Sequence, residues 1–356
     1  MYKYYPLQMF LPIMGHAYED VYRPTIVPIH LATEGDMVYD RLGKLHSIKS
    51  ICIMNNSLSM DEYEIAFSNG TKINTLSENI IPMEDYSCRT ISIYELAQYF
   101  LSSKDKPSFH IYPIQKDALQ WKDSRTAIKP YSLGVFLMAC NMEERILRIS
   151  NRDYLSNAED EFVARKVATL EELGIEKDNG WLFRKPNDCL FLTTKEFFRY
   201  YSRDSKNQEK FYTGIPYNYL YASYENRREL VKGIFDVAGE IVAQQTEHKY
   251  SYRIKIHSKF MSKDLRYDLI NLLTSLGFIL SYDEEYNIIV ETHYNDFAEY
   301  FSNPELYYKA LRISDLKFYN NPSYTIEDMK VVGCPETIVR LEVDTEDVLV
   351  GNYIPC

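Results

Sequence analysis

The chain has 356 residues, 46% hydrophobic and 26% charged, with 13 Gly and 14 Pro. That composition excludes collagen-like and low-complexity classes and leaves room for two or three domains with their own cores. Forty Lys and Arg against 51 Asp and Glu give a net charge of −11 and a pI near 5.3, so the whole chain lacks the basic footprint of an ordinary duplex-DNA binder. The excess acid lies mostly outside residues 123–317, where charge is close to balanced.

None of the six cysteines (Cys52, Cys88, Cys140, Cys189, Cys334, Cys356) forms a CxxC pair, which argues against a zinc site and, at this length, against a disulfide framework. The N-terminal MYKYYPLQMFLPIMGHAYED has an apolar run too short for a membrane span and no basic start followed by a cleavage site. The expectation is a cytoplasmic protein with no membrane partner.

In chain order, residues 1–30 are rich in Pro and aromatics and are assigned no element. Short alternating strands follow: GDMVYD (35–40), KLHSIKSICIM (44–54), YEIAFSNGTKINT (63–75) and IIPMED (80–85). Leu42-Gly43 and Asn69-Gly70 mark tight turns between them. ISIYELAQYFLSS (91–103) has helical periodicity, and 104–128 read as a Pro-punctuated connector. Two similar blocks come next. The first predicts a helix at 130–140, strands, a helix at 159–173, strands at 181–193 and a short helix at 194–202. The second predicts a helix at 225–237, a strand at 249–257, a helix at 262–276, a strand at 278–291 and a helix at 294–311. Each block has the order αββαββα, and this internal repeat is the most informative feature of the sequence. Strands resume at 326–333, 337–345 and 347–354. The layout is therefore β, a duplicated α/β unit, then β, with the repeat inserted into one β domain; insertion at a loop tip is physically tolerated.

These segments carry a resemblance. GDMVYDRLGKL with YEIAFSNGTKINTLSENIIPM resembles the N-terminal half of an intein (Hint) fold, and IEDMKVVGCPETIVRLEVDTEDVLVGNYIPC (326–356) resembles its C-terminal half. KPYSLGVFLMACN (129–141) and IPYNYLYASYENRRELVKGIFDVAGEI (215–241) are similar to the two motif helices of a LAGLIDADG homing endonuclease, with RISNRDYL (148–155) and SLGF (275–278) fitting neighbouring elements. The order of the pieces makes the match specific. It implies an α+β fold, an all-β Hint-like domain (31–103 and 326–356) split by a duplicated αββαββα saddle domain of LAGLIDADG type. Repeat 1 spans 129–213 and repeat 2 spans 214–320. It also implies descent from a phage or other mobile element, acting in the cytoplasm of its host cell.

The resemblance then says which chemistry to look for. LAGLIDADG enzymes pack two helices through small residues, each ending in an acid that holds divalent metal over the DNA groove. The first acid falls at Ala139 and the second at Ala238, and a methyl group binds no magnesium. Asp236 matches a family position that is usually structural. Glu143, Glu144 and Glu240 lie near enough to serve a displaced metal site, although solvated surface acids account for them more simply. For splicing, Thr75 matches a family position, but Asn79 stands where the histidine belongs. No Cys or Ser precedes Ser47 to act as N-terminal nucleophile, and the terminal His-Asn pair is missing after Cys356.

In KYSYRIKIHS (249–258), Arg253, Lys255 and His257 alternate with Ile254 and Ile256 and so share one sheet face. The resemblance places that face over a DNA major groove. Arg148 and Ser150, with Arg184 and Lys185, hold the corresponding place in repeat 1. Asp283, Glu284 and Glu285 lie nearby and repel phosphate. The reading is a catalytically inactive relative of intein-borne homing endonucleases, retained as a binding protein for duplex DNA. The alternatives are a protein-interaction or structural role with an unidentified protein partner, and an active nuclease using displaced acids. No metal site or cofactor is expected, with magnesium entering only under the nuclease alternative.

Overall fold

The structure, a computed structural model, describes residues 2–17, 21–82, 90–102, 109–124, 126, 129–141, 146–150, 182–184, 189–193, 214–246, 249–258, 261–291, 294–314, 323–345, 347–351 and 353–356. These residues form a mixed α+β chain of antiparallel sheets. In order they are β1 (Tyr2–Pro6), β2 (Phe10–Ala17), β3 (Val21–Pro28), β4 (Met37–Tyr39), β5 (Leu45–Ser47), β6 (Ser50–Asn55), β7 (Glu62–Phe67), β8 (Lys72–Leu76), β9 (Ile80–Pro82), β10 (Thr90–Ser92), α1 (Ile93–Ser102) and β11 (Phe109–Ile111). There follow α2 (Pro130–Ala139), β12 (Cys140–Asn141), β13 (Ile146–Ser150), β14 (Leu182–Arg184) and β15 (Cys189–Thr193). Then come α3 (Tyr217–Leu220), α4 (Tyr224–Ala238), β16 (Gly239–Thr246), β17 (Lys249–Ile256), α5 (Lys263–Ser275), β18 (Ile279–Tyr282), β19 (Ile288–Glu291) and α6 (Pro304–Ser314). The chain closes with β20 (Tyr324–Gly333), β21 (Thr337–Glu342), β22 (Leu349–Val350) and β23 (Ile354–Pro355). Two sheets run in the same relative order, β12-β13-β15-β14 and β16-β17-β19-β18. The helices expected at 159–173 and 194–202 lie outside the described residues.

The chain divides into two units. The first comprises Met1–Trp121, Leu273–Tyr282 and Asn321–Cys356, and the second comprises Lys122–Leu272 and Asp283–Asn320.

In the first unit the C-terminal strands are central. β20 lies between β11 and β7, and β21 lies between β1 and β6. Val339 stands opposite Tyr5 and Ile53, and Leu341 opposite Lys3 and Ile51. Strand alternation sends Ile65, Phe67, Val339 and Leu341 into one core with Leu96 and Phe100 of α1. Residues 1–30, which the sequence left without an element, supply three strands. Tyr5, Leu11, Ile13 and Ile29 are fully or almost fully buried in the same core. The stretch read as a connector also differs: Ile114, Leu119 and Trp121 are buried in this unit, and the Trp121 indole donates to the Tyr39 hydroxyl at 2.9 Å. The β4–β5 turn is closed by Asp40, which accepts from the backbone N–H groups of Leu42 and Lys44 and sits 2.9 Å from His46 Nε2. Gly43 takes φ +77° there, and a side chain at that position would strike the Ala118 carbonyl.

In the second unit α2 packs against α4. A Cβ on Gly134 would fall 2.2 Å from the Leu230 carbonyl oxygen, and one on Gly233 would fall 2.1 Å from that of Tyr131. Tyr131 and Leu230 each lie one helical turn before their own helix's glycine, so the contact is reciprocal, as about a two-fold axis through the crossing. Leu133, Phe136, Ile234 and Phe235 fill the core around it. Ser223 caps α4, accepting from the Asn226 N–H at 3.4 Å.

Two readings from periodicity change in detail. The run at 278–291 is a hairpin, because Asp283 accepts from the backbone N–H groups of Glu285 and Asn287 and Tyr286 turns with φ +61°. The run at 294–311 is a 3-10 segment (Tyr294–Tyr300) followed by α6, which starts at Pro304. Proline has no N–H to give a preceding turn and suits the first helical position.

Candidate functional site

The reciprocal glycines set a correspondence between positions of α2 and α4. Ala139 and Ala238 each stand five positions after their glycine, each is the last residue of its helix, and a strand starts at the next residue in both cases. Asp236, two residues before Ala238, is 6% exposed. Its Oδ2 accepts from the Tyr131 hydroxyl at 2.8 Å, and its Oδ1 accepts from the backbone N–H groups of Ser302 and Asn303 at 2.8 and 2.9 Å. The carboxylate therefore ties α2, α4 and the lead-in to α6 together. Glu143 and Glu144 lie outside the described residues. Among the described residues no group of three or more His, Cys, Asp and Glu converges as a metal set, and no helix is long and apolar enough to cross a membrane.

β17 sits between β16 and β19. Ile254 and Ile256 face inward, fully buried against Ile288 and Val290, and alternation turns Arg253, Lys255 and His257 to the other side. There each basic residue meets an acid. Arg253 Nη2 is 2.7 Å from Glu291 Oε1, Lys255 Nζ is 2.9 Å from Asp283 Oδ2, and His257 Nε2 is 3.2 Å from Glu240 Oε2. Hydrogen bonds from the Asn287 amide and then from Lys255 hold the Asp283 carboxyl well below the usual carboxylate range, and the bond to Asp283 raises the Lys255 ammonium. Three carboxylates thus face two permanent cations and one histidine, and the exposed Glu284 and Glu285 add to the acid. Sequence alternation finds the basic side of this ladder. It misses Glu291 as the partner of Arg253, a pairing set by the β17–β19 register, in which Ile254 stands opposite Val290.

In the sheet β12-β13-β15-β14, Arg148 and Ser150 lie on β13 opposite Phe191 and Cys189, and Arg184 on β14 also stands opposite Cys189. Ser150, Cys189 and Arg184 thus form one row across that sheet. Lys185 lies outside the described residues.

A second convergence lies in the first unit. Asn79 is 2% exposed. Its side-chain amide donates to the Tyr4 carbonyl and, at 3.0 Å, to Thr75 Oγ1, while its Oδ1 accepts from the Tyr4 N–H at 3.2 Å. The carboxamide thus treats β1 as a neighbouring strand would. Thr75 Oγ1 is 3.5 Å from the Cys356 sulfur, and the buried Lys3 ammonium donates to the Cys356 carbonyl at 3.1 Å. Burial pushes the Cys356 thiol up, against the pull of Lys3 and Thr75. Burial, reinforced by Cys356 and Asp347, also raises the Tyr5 hydroxyl well above its ordinary value. Sequence reading reached Thr75 and Asn79 but not Lys3 or Tyr5, which lie in the stretch without periodic signal.

No protein-family model matches the chain, and no curated protein matches it.

Proposed function

We propose that this is a non-catalytic binding protein, a Hint-like β unit carrying an inserted, duplicated LAGLIDADG-like α/β unit, whose sheet face engages a protein rather than duplex DNA. The ladder Arg253–Glu291, Lys255–Asp283 and His257–Glu240 carries this reading. Duplex binding draws its affinity from cations that replace condensed counterions on phosphates. Here the cations are already matched by carboxylates, and inserting a phosphate would break those pairs and set it beside Glu240, Asp283 and Glu291. The alanines at the two equivalent helix ends support the absence of metal-dependent cleavage, since neither side chain has a ligand atom.

Fluorescence anisotropy on mixed-sequence duplexes between about 50 and 200 mM salt tests the reading. The wild type is expected not to bind even at the low end. Replacing Glu240, Asp283 and Glu291 by Gln, Asn and Gln is expected to create weak, salt-sensitive binding by releasing the cations. Binding by the wild type with a salt slope that flattens in Arg253→Ala/Lys255→Ala would overturn it in favour of a DNA-binding role. That second reading has one specific support, the reciprocal glycine contact, which preserves the two-helix crossing on which a DNA saddle depends. Plasmid incubated with protein and magnesium is expected to stay intact; specific double-strand breaks would establish the nuclease alternative.

A further inference from the structure

We propose that Arg340, stacked on Tyr2 in the three-stranded sheet of the first unit, is a receptor for an oxyanion, a carboxylate or phosphate group that the chain itself does not supply. The register puts Tyr4 and Cys52 on either side of Arg340, and Tyr2 and Ser50 on either side of Glu342. These six residues share one face of the sheet, while Lys3, Tyr5, Val339 and Leu341 fill the other. The Arg340 guanidinium carbon lies 4.9 Å from the centre of the Tyr2 ring, which is half exposed. Its Nε is buried and has no hydrogen-bond partner. No carboxylate forms an ion pair with the guanidinium among the described residues: the nearest acid on the same strand face, Glu342, accepts from Ser50 Oγ at 3.2 Å. Arg253 and Arg227, by contrast, are bound to Glu291 and to the Ala222 carbonyl.

Buried donors are almost always paired, because desolvating one without an acceptor is unfavourable. A half-buried guanidinium held only through its face keeps its N–H fork for an acceptor in its own plane. Carboxylate and phosphate match that fork with two parallel charge-assisted bonds. A neutral carbonyl would satisfy one donor and leave the charge unmatched. The net charge of −11 opposes general accumulation of anions, so occupancy depends on this one fork. The inference is independent of the function proposed above and concerns the other unit.

The test uses the full chain and three probes: inorganic phosphate, succinate, and an acetylated, amidated Gly-Glu-Gly peptide. One readout is the side-chain Nε–H resonance of Arg340, assigned by its loss in Arg340→Lys. The other is the rate at which N-ethylmaleimide modifies Cys52, the cross-strand neighbour of Arg340, read at the level of its peptide. A saturable shift with a midpoint of roughly 1–10 mM and a severalfold slowing at Cys52 are expected. The slowing at Cys52, the readout that survives replacement of Arg340, should vanish in Arg340→Met, and both responses should weaken in Tyr2→Leu, with circular dichroism melts verifying the fold. Arg340→Lys keeps the charge without the fork, and its affinity should fall about tenfold. Response to phosphate or succinate points to a free small anion, and response to the peptide alone points to an acidic side chain of a partner protein. No saturable response to any probe up to about 50 mM, or an equal response in Arg340→Lys, would overturn the assignment.

Discussion

Replacing Gly233 by alanine tests the helix crossing that organises the second unit. Two effects oppose one another. Alanine is the better helix former, which by itself would stabilise α4 by about 1 kcal/mol. The new methyl carbon, however, would sit 2.1 Å from the Tyr131 carbonyl oxygen and 3.0 Å from the Val135 nitrogen. Non-bonded carbon and oxygen atoms stay beyond about 3 Å, so the helices must part by roughly 1 Å. The obstacle is backbone, and no rotamer change relieves it. Overpacking of this kind costs about 1–3 kcal/mol, here at the upper end because the whole α2–α4 seam opens. The net expectation is a loss of about 2 kcal/mol, read as a lower urea midpoint with an unchanged m-value. Gly134→Ala meets the Leu230 oxygen at 2.2 Å and should lose a similar amount. The two losses should not add, because helices already parted by one methyl have room for the other. Stabilisation by either substitution, or strict additivity in the double variant, would refute the reciprocal crossing.

Asp236→Ala removes the acceptor of three hydrogen bonds, from the Tyr131 hydroxyl and the N–H groups of Ser302 and Asn303, and should destabilise the second unit by about 3 kcal/mol in urea melts; Asp236→Asn should be milder because Oδ1 can still accept both backbone bonds. Leu341→Ala, in the fully buried middle of β21, should cost about 3 kcal/mol and raise hydrogen exchange in both β1 and β6 together; exchange confined to one neighbour would contradict the three-stranded order. The Asp283 carboxyl, depressed by Asn287 and then Lys255, should titrate by NMR well below the usual value of about 3.9. Its contribution is present above the unfolded value and disappears as acid takes the pH down through the folded one, so the 283–287 turn should hold at pH 4 and loosen only below it. Lys255, raised by Asp283, keeps its contribution up to the ordinary lysine range and loses it only as the pH rises through the higher folded value. In Asp283→Asn the lysine should return toward its ordinary value, and an unchanged titration would show that the pair does not form.

Much of this arrangement was written in local pattern. Alternation over 249–257 puts Arg253, Lys255 and His257 on one face and buries Ile254 and Ile256, because successive strand residues point to opposite sides. The helices around 130–140 and 225–237 follow from their apolar content and boundaries, and Gly43 and Gly70 mark turns by the conformations they alone adopt easily. What faces those residues was not local. That Arg253 stands beside Glu291 follows from the register of β17 against β19, whose near end is held where the Ser258 N–H donates to Asn287 Oδ1. The small residues of two distant helices announce a capacity for close approach, but that Gly134 meets Leu230 and Gly233 meets Tyr131 is a property of the docked pair. β1 and β21 stand at opposite ends of the chain, and neither Tyr5 nor Val339 carries a sign of the other. Pairing across such a separation repays its loop-closure entropy only when a whole core assembles at once, so tertiary structure alone decided it.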